Sequence, residues 1–522
     1  MNAFSPKPLS VCLTELADRV VNMPAEAEIT GIAWDSRKVQ PGDAFFALVG
    51  ESVDGHFYIR QALESGAAAV IGTQPGLDLP VPYVQITGDG RLALAQFASA
   101  FYDYPSRKLI VIGITGTDGK TTTTNMVYQI LKAAGLSVGM ISTVNAVIGD
   151  ETLDTGFHVT TPESPDIQRY LAQMVAAGLT HVVLETPSHG LVQQRVAEVD
   201  YDLAAVTNVT HEHLDYHRTY QGYLAAKGLL FEALAQSKAG SKLVPPLAVL
   251  NKDDDSYPYL AELTQVKQLA YSVQGEADLW ADEIENTPSE LRFRVHGPGK
   301  DFNIRTPLIG RYNVSNSLAA LGVTVFGLKV PAKTAQKAFA AMPVVPGRME
   351  AVTMGQDFLA IVDFAHTPNG IRQALRTARE LTQGRLIAVF GSAGLRDVEK
   401  RKMMPQVAIG IADEIFLTAE DPRTESLDGI LADMAKGAER AGGVEGKTFW
   451  REPDRGTAIR RAVARAEKGD LVVVCGKGHE QSMCFGTVEY PWDDRTALKA
   501  ALAELLNIDG PEMPILPTNP VQ

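Results

Sequence analysis

Cysteine is nearly absent: three in 522 residues, Cys12, Cys475 and Cys484. They are too few and too scattered for a disulfide framework or a zinc site, so a reducing compartment is expected. No apolar run approaches the ~18–20 residues of a membrane span. The start, Met1 to Leu16, lacks a basic stretch followed by an apolar core and does not read as a secretory leader. Internal repeats and low-complexity blocks are missing. So is any basic excess: the net charge is −14. That sign argues against non-specific binding to nucleic acid or anionic membrane, because both are polyanions. An anionic small substrate stays open, since one local basic cluster is enough for it. These absences leave the expectation of a cytoplasmic protein, monomeric, with neither nucleic acid nor membrane as partner.

What is present has ordinary globular composition, and the length suggests about three domains at roughly 100–200 residues each. Two seams divide it. Tyr104-Pro105-Ser106 separates a helical segment from a sudden apolar run, and Pro343–Gly347 brings two prolines and a glycine after another helical stretch. The segments are 1–105, 106–342 and 343–522. In the middle one, Leu109–Ile114, His181–Glu185, Leu203–Asn208 and Ala248–Asn251 read as buried strands, with Thr121–Ala134 and Tyr220–Ala235 as helices. The last repeats the pattern with Leu359–Asp363, Leu386–Phe390, Glu414–Leu417 and Leu471–Cys475. Both read as α/β units with a parallel sheet, where ligands collect at the carboxyl ends of the strands. The Pro-rich tail, Pro511 to Gln522, reads as disordered or loosely docked.

The sharpest local signal is Gly113-Ile-Thr-Gly-Thr-Asp-Gly-Lys-Thr121, which follows a buried strand and opens a helix. Its glycines, Gly116 and Gly119 among them, let backbone N–H groups turn inward around phosphate oxygens. Lys120 adds a point charge, and Thr121 can hold Mg²⁺. The spacing is a variant of the common P-loop, whose first glycine would fall on Ile114. After the next strand comes Glu185-Thr-Pro-Ser-His189, where Glu185 is a natural Mg²⁺ ligand beside a phosphate loop. Thr207–His217 packs three histidines and two acids into eleven positions. Zinc is the alternative there, although no His-Glu-x-x-His helix motif is present. Lys227, taken by itself, reads as a solvated helix lysine. In the last segment Arg396 and Arg423 stand on loops after strands, and Gly476-Lys-Gly-His-Glu480 follows another. Arginine suits bidentate capture of carboxylates, and together these loops suggest a site for a small zwitterion.

In this order the motifs resemble a Mur ligase, and within that family the UDP-N-acetylmuramoyl-tripeptide synthetases, which add the third residue of the peptidoglycan stem peptide. The likeness runs from about Ile29 to Leu505. It is carried by Asp35-Ser-Arg37 with Gly42-Asp43, by Thr115–Thr121, by Thr160-Thr-Pro-Glu163 and by Ser188–Gln193 with Arg195. It continues through His213-Leu-Asp-Tyr-His217, Gly310-Arg-Tyr-Asn313, Pro346-Gly-Arg-Met-Glu350, Asp363–Pro368, Asp421-Pro-Arg423 and Gly476–Glu480.

The resemblance implies an α/β, three-domain architecture: a UDP-substrate-binding domain (1–105), a central P-loop ATPase-like domain with a parallel sheet (106–342) and a Rossmann-like amino-acid-binding domain (343–522). It implies ATP and Mg²⁺ as cofactors, with UDP-N-acetylmuramoyl-L-alanyl-D-glutamate and a diamino acid as substrates. Ser36 would contact the uridine nucleotide; Thr160, Thr161, Gln193 and Arg195 would hold the rest of that substrate. Gly116, Thr117, Asp118, Gly119, Lys120, Thr121, Thr122, Asn313, Arg348 and Asp363 would face ATP. Thr121, Glu185, His213 and Lys227, the last as a carbamate, would organise Mg²⁺, with Lys120, Glu185, His213 and Lys227 as the catalytic set. Arg396, Glu420, Asp421, Pro422, Arg423, Gly476 and Glu480 would face the amino acid. The family mechanism then passes through an acyl phosphate.

Three departures stand out against the family pattern. Pro187 replaces a substrate-binding serine, Leu395 stands in the loop Ala393–Asp397, and Asp421 replaces an asparagine in the signature of diaminopimelate enzymes. The added charge at Asp421 favours the side-chain ammonium of lysine or ornithine, whereas Arg423 is kept and suits meso-diaminopimelate, which ranks first. The rivals are a folylpolyglutamate or cyanophycin-type ligase, disfavoured by Asp35-Ser-Arg37, and a non-catalytic nucleotide-binding paralogue.

Overall fold

The computed structural model describes residues 4–16, 18–21, 26–50, 53–142, 146–149, 151–153, 162–210, 214–236, 244–287 and 289–519. Three main sheets organise it. The first has five strands in the order Arg19–Val21, Tyr83–Ile86, Ala69–Gly72, Asp43–Ala47, Gly31–Ala33, parallel except for Arg19–Val21. Its two faces carry separate apolar layers, one around Phe46 and Phe97, the other around Phe45 and Tyr83.

The central sheet has eleven strands. Seven run parallel: Val138–Ile141, His181–Glu185, Ile110–Thr115, Leu203–Val206, Leu247–Asn251, Lys267–Ser272 and Leu279–Asn286. Antiparallel strands extend both edges: Ala146–Ile148 with Glu151–Leu153, and Leu291–Gly297 with Lys300–Thr306. The sheet is therefore mixed rather than purely parallel. Its middle strands are apolar along their whole length because both faces are covered: Ile112 and Ile114 enter one layer with Met126 and Leu318, while Val111 enters the other with Leu184 and Phe231.

The last sheet has the order Glu350–Ala351, Leu359–Asp363, Leu471–Cys475, Leu386–Phe390, Glu414–Leu417, Phe449–Arg451, parallel but for its first strand. Runs such as Leu-Val-Val-Val-Cys are buried throughout, as β-branched strands between two helical layers require. The tail is docked rather than loose. Leu516 is buried against this sheet's second layer, and Thr518 Oγ1 donates to Asp454 at 3.0 Å. Among the described residues no helix is long and apolar enough to cross a membrane.

Candidate active site

Ile110–Thr115 lies between His181–Glu185 and Leu203–Val206. The chain passes from one side of it to the other between those neighbours, which opens a crevice at their carboxyl ends. The loop 116–119 turns over this crevice into the helix Lys120–Ala133. Gly116 has φ +147°, and a Cβ there would stand 1.8 Å from Thr207 Oγ1; at Gly119, φ +83°, it would meet Asn316 Oδ1 at 2.3 Å. Neither position admits a side chain.

The helices Tyr220–Ala235, Pro368–Leu381 and Leu427–Arg440 are capped by Thr219, Thr367 and Ser426. Lys120–Ala133 has no side-chain cap. An anion at this N-terminus would meet its first N–H groups and the positive end of the helix dipole. Lys120 Nζ donates to the Thr117 carbonyl at 2.8 Å. Thr121 Oγ1 donates to Glu185 Oε2 at 2.9 Å, both buried.

The underside of the loop is tied to the rest of the sheet. Asn208 accepts from Asp118 N at 3.0 Å, and Asp118 O accepts from Thr207 Oγ1 at 2.6 Å. Thr117 Oγ1 accepts from Thr210 N at 2.9 Å and lies 3.2 Å from the Tyr223 hydroxyl. Lys227 corrects the reading of a solvated lysine. It is 1% exposed, its Nζ donates to the Gly116 carbonyl at 2.6 Å, and it lies 4.5 Å from the centre of the Tyr223 ring. The helix that carries it buries Tyr223, Leu224, Leu230 and Phe231 as well, so it has little solvent face at that turn.

Across the crevice, Arg195 pairs with Glu163 at 3.1 Å, and Gln193 Nε2 donates to the Tyr216 hydroxyl at 3.4 Å. From the last sheet, Asp363 accepts from Met349 N and Ala365 N, both at 2.8 Å. Burial raises its carboxyl pKa, and Arg348 opposes that shift. The Arg348 guanidinium stacks 4.5 Å over Phe364. Burial, with Arg348 and other cations nearby, drives His479 down to about 3, so it is neutral at ordinary pH.

The far end is built by two interlocked loops. Gly394 N donates to the Asp421 carbonyl at 2.9 Å, and Leu395 N donates to Glu425 Oε2 at 2.8 Å. Buried Arg401 grips both Glu425 oxygens at 2.6 Å. Leu395, Asp421 and Arg423 all have positive φ, at +55°, +39° and +54°. Such strain costs on the order of 1–3 kcal/mol per residue and is retained where surrounding contacts over-determine it. Behind them, Arg455 pairs with Asp494, both wholly buried, and donates to the carbonyls of Ala419 and Cys475. It thereby fixes the strand ends that lead into Glu420 and Gly476.

One cavity of about 1120 Å³ connects these parts, running from Lys120 and Thr121 past Gln193 and Arg195 to Arg396 and Arg423. Three family models match in chain order: "Mur ligase family, catalytic domain" over 28–102, "Mur ligase middle domain" over 114–324 and "Mur ligase, glutamate ligase domain" over 347–478. A UDP-N-acetylmuramyl-tripeptide synthetase of Roseiflexus sp. (strain RS-1) is 42% identical over 490 residues, 92% of this chain and 96% of that protein.

The chain belongs to the Mur ligase family.

The UDP-N-acetylmuramoyl-L-alanyl-D-glutamate--2,6-diaminopimelate ligase of Geobacillus thermodenitrificans (strain NG80-2) is 40% identical, covering 95% of this chain and 99% of that one. A solved structure of a ligase of the same name superposes with TM-score 0.64 at 28% identity, covering 92% of this chain and 96% of that one. The cavity is lined by residues around both the central sheet and the last sheet. Of the expected site residues, Thr117–Thr122, Glu185, Gln193, Arg195, Asn313, Arg348, Asp363, Arg396, Glu420, Asp421, Arg423, Gly476 and Glu480 line the one cavity. Gly116, Lys227 and Pro422 are not among its lining residues. Ser36 lies in the first sheet's unit, buried, with Oγ donating to Gln61 at 2.9 Å. Thr160, Thr161, His211 and His213 lie outside the described residues. Of the zinc alternative, His217 is described, with Nε2 3.0 Å from Ser188 Oγ, and no cluster of three or more metal-ligating side chains occurs among the described residues.

Sequence reasoning missed Asn208, Tyr223, Asn369, Arg401 and Glu425. Asn208 lay inside a motif already noticed. Tyr223 lay in the segment read around Lys227 without being singled out, and Asn369, Arg401 and Glu425 carried no local signal, because their partners lie 24 to 251 positions away.

Proposed function

We propose that this Mur ligase uses ATP to join meso-diaminopimelate to the terminal carboxylate of UDP-N-acetylmuramoyl-L-alanyl-D-glutamate, as a cytoplasmic monomer built from units 1–105, 106–342 and 343–522. The observation that carries the reading is the single cavity with a phosphate loop at one end and two arginine-bearing loops at the other. The names of the relatives at 40–42% identity agree with it. Diaminopimelate is preferred because Arg396 and Arg423 line the cavity and suit carboxylates, while the charge of Asp421 is partly offset by Lys477, an ammonium it shares with Glu480.

Thr121 and Glu185 fit a hard divalent cation: two buried oxygen donors, 2.9 Å apart, beside the phosphate loop. They would hold Mg²⁺ with His213 and with Lys227 as its carbamate, an anion that an unmodified ammonium cannot replace. The ion would neutralise charge on the transferring phosphoryl group.

The chemistry has two steps. The substrate carboxylate attacks the γ-phosphorus, a P–O bond to ADP breaks, and an acyl phosphate forms. The neutral amine of the amino acid then attacks the acyl carbon, a C–N bond forms, the acyl C–O bond breaks so that phosphate departs with one carboxylate oxygen, and the nitrogen releases a proton to solvent. Lys120 and the N-terminal N–H groups of Lys120–Ala133 stabilise the charge that develops on the phosphoryl oxygens. Gln193 and Arg195 orient the peptide arm, and Arg423 holds the amino acid so that its amine reaches the acyl carbon. The test is incubation with ATP, Mg²⁺ and UDP-N-acetylmuramoyl-L-alanyl-D-glutamate, with diaminopimelate, lysine and ornithine supplied separately, reading phosphate and product mass. Ligation of diaminopimelate is expected; absence of ligation with all three refutes the reading.

A further inference from the structure

An aspartate in a phosphate-binding loop is electrostatically odd, because its charge repels the ligand that the loop is shaped to hold. Asp118 has such a position, between Thr117 and Gly119. Its main chain is fixed within the central sheet's unit: the amide donates to Asn208 Oδ1, and the carbonyl accepts from Thr207 Oγ1 and from Asn208 Nδ2 at 3.1 Å. Its side chain leaves that unit. Oδ2 accepts from Asn369 Nδ2 at 2.9 Å, and Oδ1 lies 3.5 Å from Thr367 Oγ1.

Thr367 caps, and Asn369 stands in the first turn of, Pro368–Leu381, a helix of 14 residues. The carboxylate thus sits at the positive end of a helix dipole. That helix is seated rigidly in the last sheet's core through Ile371, Ala374, Leu375 and Ala378. It follows directly on Asp363–Thr367, the segment beside Arg348. One side chain therefore joins the loop that holds the phosphates to the body that carries Arg396 and Arg423.

We propose that Asn369 is a positioning residue for ligation, acting through Asp118: the pair clasps the amino-acid-bearing unit onto the phosphate loop and turns the aspartate's charge away from the phosphates. The clasp rests on the function proposed above only for its kinetic consequence. With the clasp broken, the carboxylate is released toward the phosphate site and the amine loses its register with the acyl carbon. A misplacement of about 1 Å is enough to cost on the order of a hundredfold in rate.

Asn369→Asp sets two carboxylates against each other without changing side-chain size. Its kcat is expected to fall roughly ten- to a hundredfold, with the KM for the amino acid little changed and the thermal unfolding transition retained. The double exchange Asp118→Asn with Asn369→Asp restores one amide facing one carboxylate and is expected to recover most of that loss. A merely structural role for Asn369 predicts instead that the unfolding transition falls along with kcat, and that both return together in the double exchange. Small-angle scattering with ADP and Mg²⁺ supplies a readout independent of ligation: a larger radius of gyration for Asn369→Asp, returned to the wild-type value by the double exchange. Wild-type kcat in Asn369→Asp, or a double exchange no better than Asn369→Asp alone, overturns the proposal. Should the wild-type chain not ligate at all, the proposed function fails, and the clasp is judged by scattering alone, where equal radii overturn it.

Discussion

Lys477 Nζ lies 3.0 Å from each carboxylate oxygen of Asp421, and the lysine is wholly buried. Burial alone would favour the neutral amine. Glu480 and Asp421 outweigh it and hold the lysine above its usual range. Asp421 also accepts from Cys484 N at 2.9 Å, so its carboxylate is structural as well as charge-balancing. Asp421→Ala leaves a buried cation with only Glu480 and should lose about 3 kcal/mol in urea unfolding. Asp421→Asn keeps one acceptor for Lys477 and Cys484 N but turns the other oxygen into a donor facing the ammonium; it should lose less than the alanine exchange and should leave the ranking of the three diamino acids unchanged. A switch in that ranking would show that Asp421 reads the substrate directly.

Glu425 bridges Arg401 and Leu395 N, so it sets the spacing between the loops of Arg396 and Arg423. Hydrogen bonding from Arg401 and from the Leu395 amide pulls its pKa down to about 2, which keeps the bridge charged. Glu425→Gln weakens the bidentate pair. Steady-state kinetics should show a KM for the amino acid raised roughly tenfold or more, with the KM for ATP unchanged, because only the far end of the cavity is loosened.

At the near end, Lys120→Ala should lower kcat by on the order of 10²–10³ while the protein stays folded by circular dichroism. Glu185→Gln removes the charged partner of Thr121 and should raise the Mg²⁺ concentration for half-maximal rate by roughly tenfold or more. Full activity of Lys120→Ala would contradict the role given to the loop.

Glu420 supplies a pH test. Burial pushes its carboxyl from 4.5 up to about 7, and its Oε2 finds no hydrogen-bond partner among the described residues. Between those values the folded protein holds a proton that the unfolded chain has released. The residue's contribution to stability therefore falls as pH rises through this window. Glu420→Gln lacks that slope. Its melting temperature relative to wild type should be more favourable at about pH 8 than at about pH 5, and an equal difference at both would contradict the raised pKa.

The strands of the last sheet were legible because burial on both faces leaves nearly continuous apolar runs. Leu359–Asp363, Leu386–Phe390, Glu414–Leu417 and Leu471–Cys475 stand where the sequence reading placed them. Leu279–Asn286 was not foreseen, since one face is exposed and its alternation, Leu-Trp-Ala-Asp-Glu-Ile-Glu-Asn, is only a weak period-two signal. Lys227 was legible only through family resemblance, because a lysine in a helix carries no local mark of what lies above it. The Asp118–Asn369 contact spans 251 positions. No window along the chain contains both residues, and only the packing of the last sheet's unit against the phosphate loop brings them together.

Above all, the phosphate loop is proposed to hand a phosphoryl group to a substrate carboxylate. Ligation with UDP-N-acetylmuramoyl-L-alanyl-D-glutamate carrying oxygen-18 in its terminal carboxylate tests it directly, by mass analysis of the released phosphate. Each phosphate formed should carry one labelled oxygen. Ligated product accompanied by unlabelled phosphate would contradict the claim.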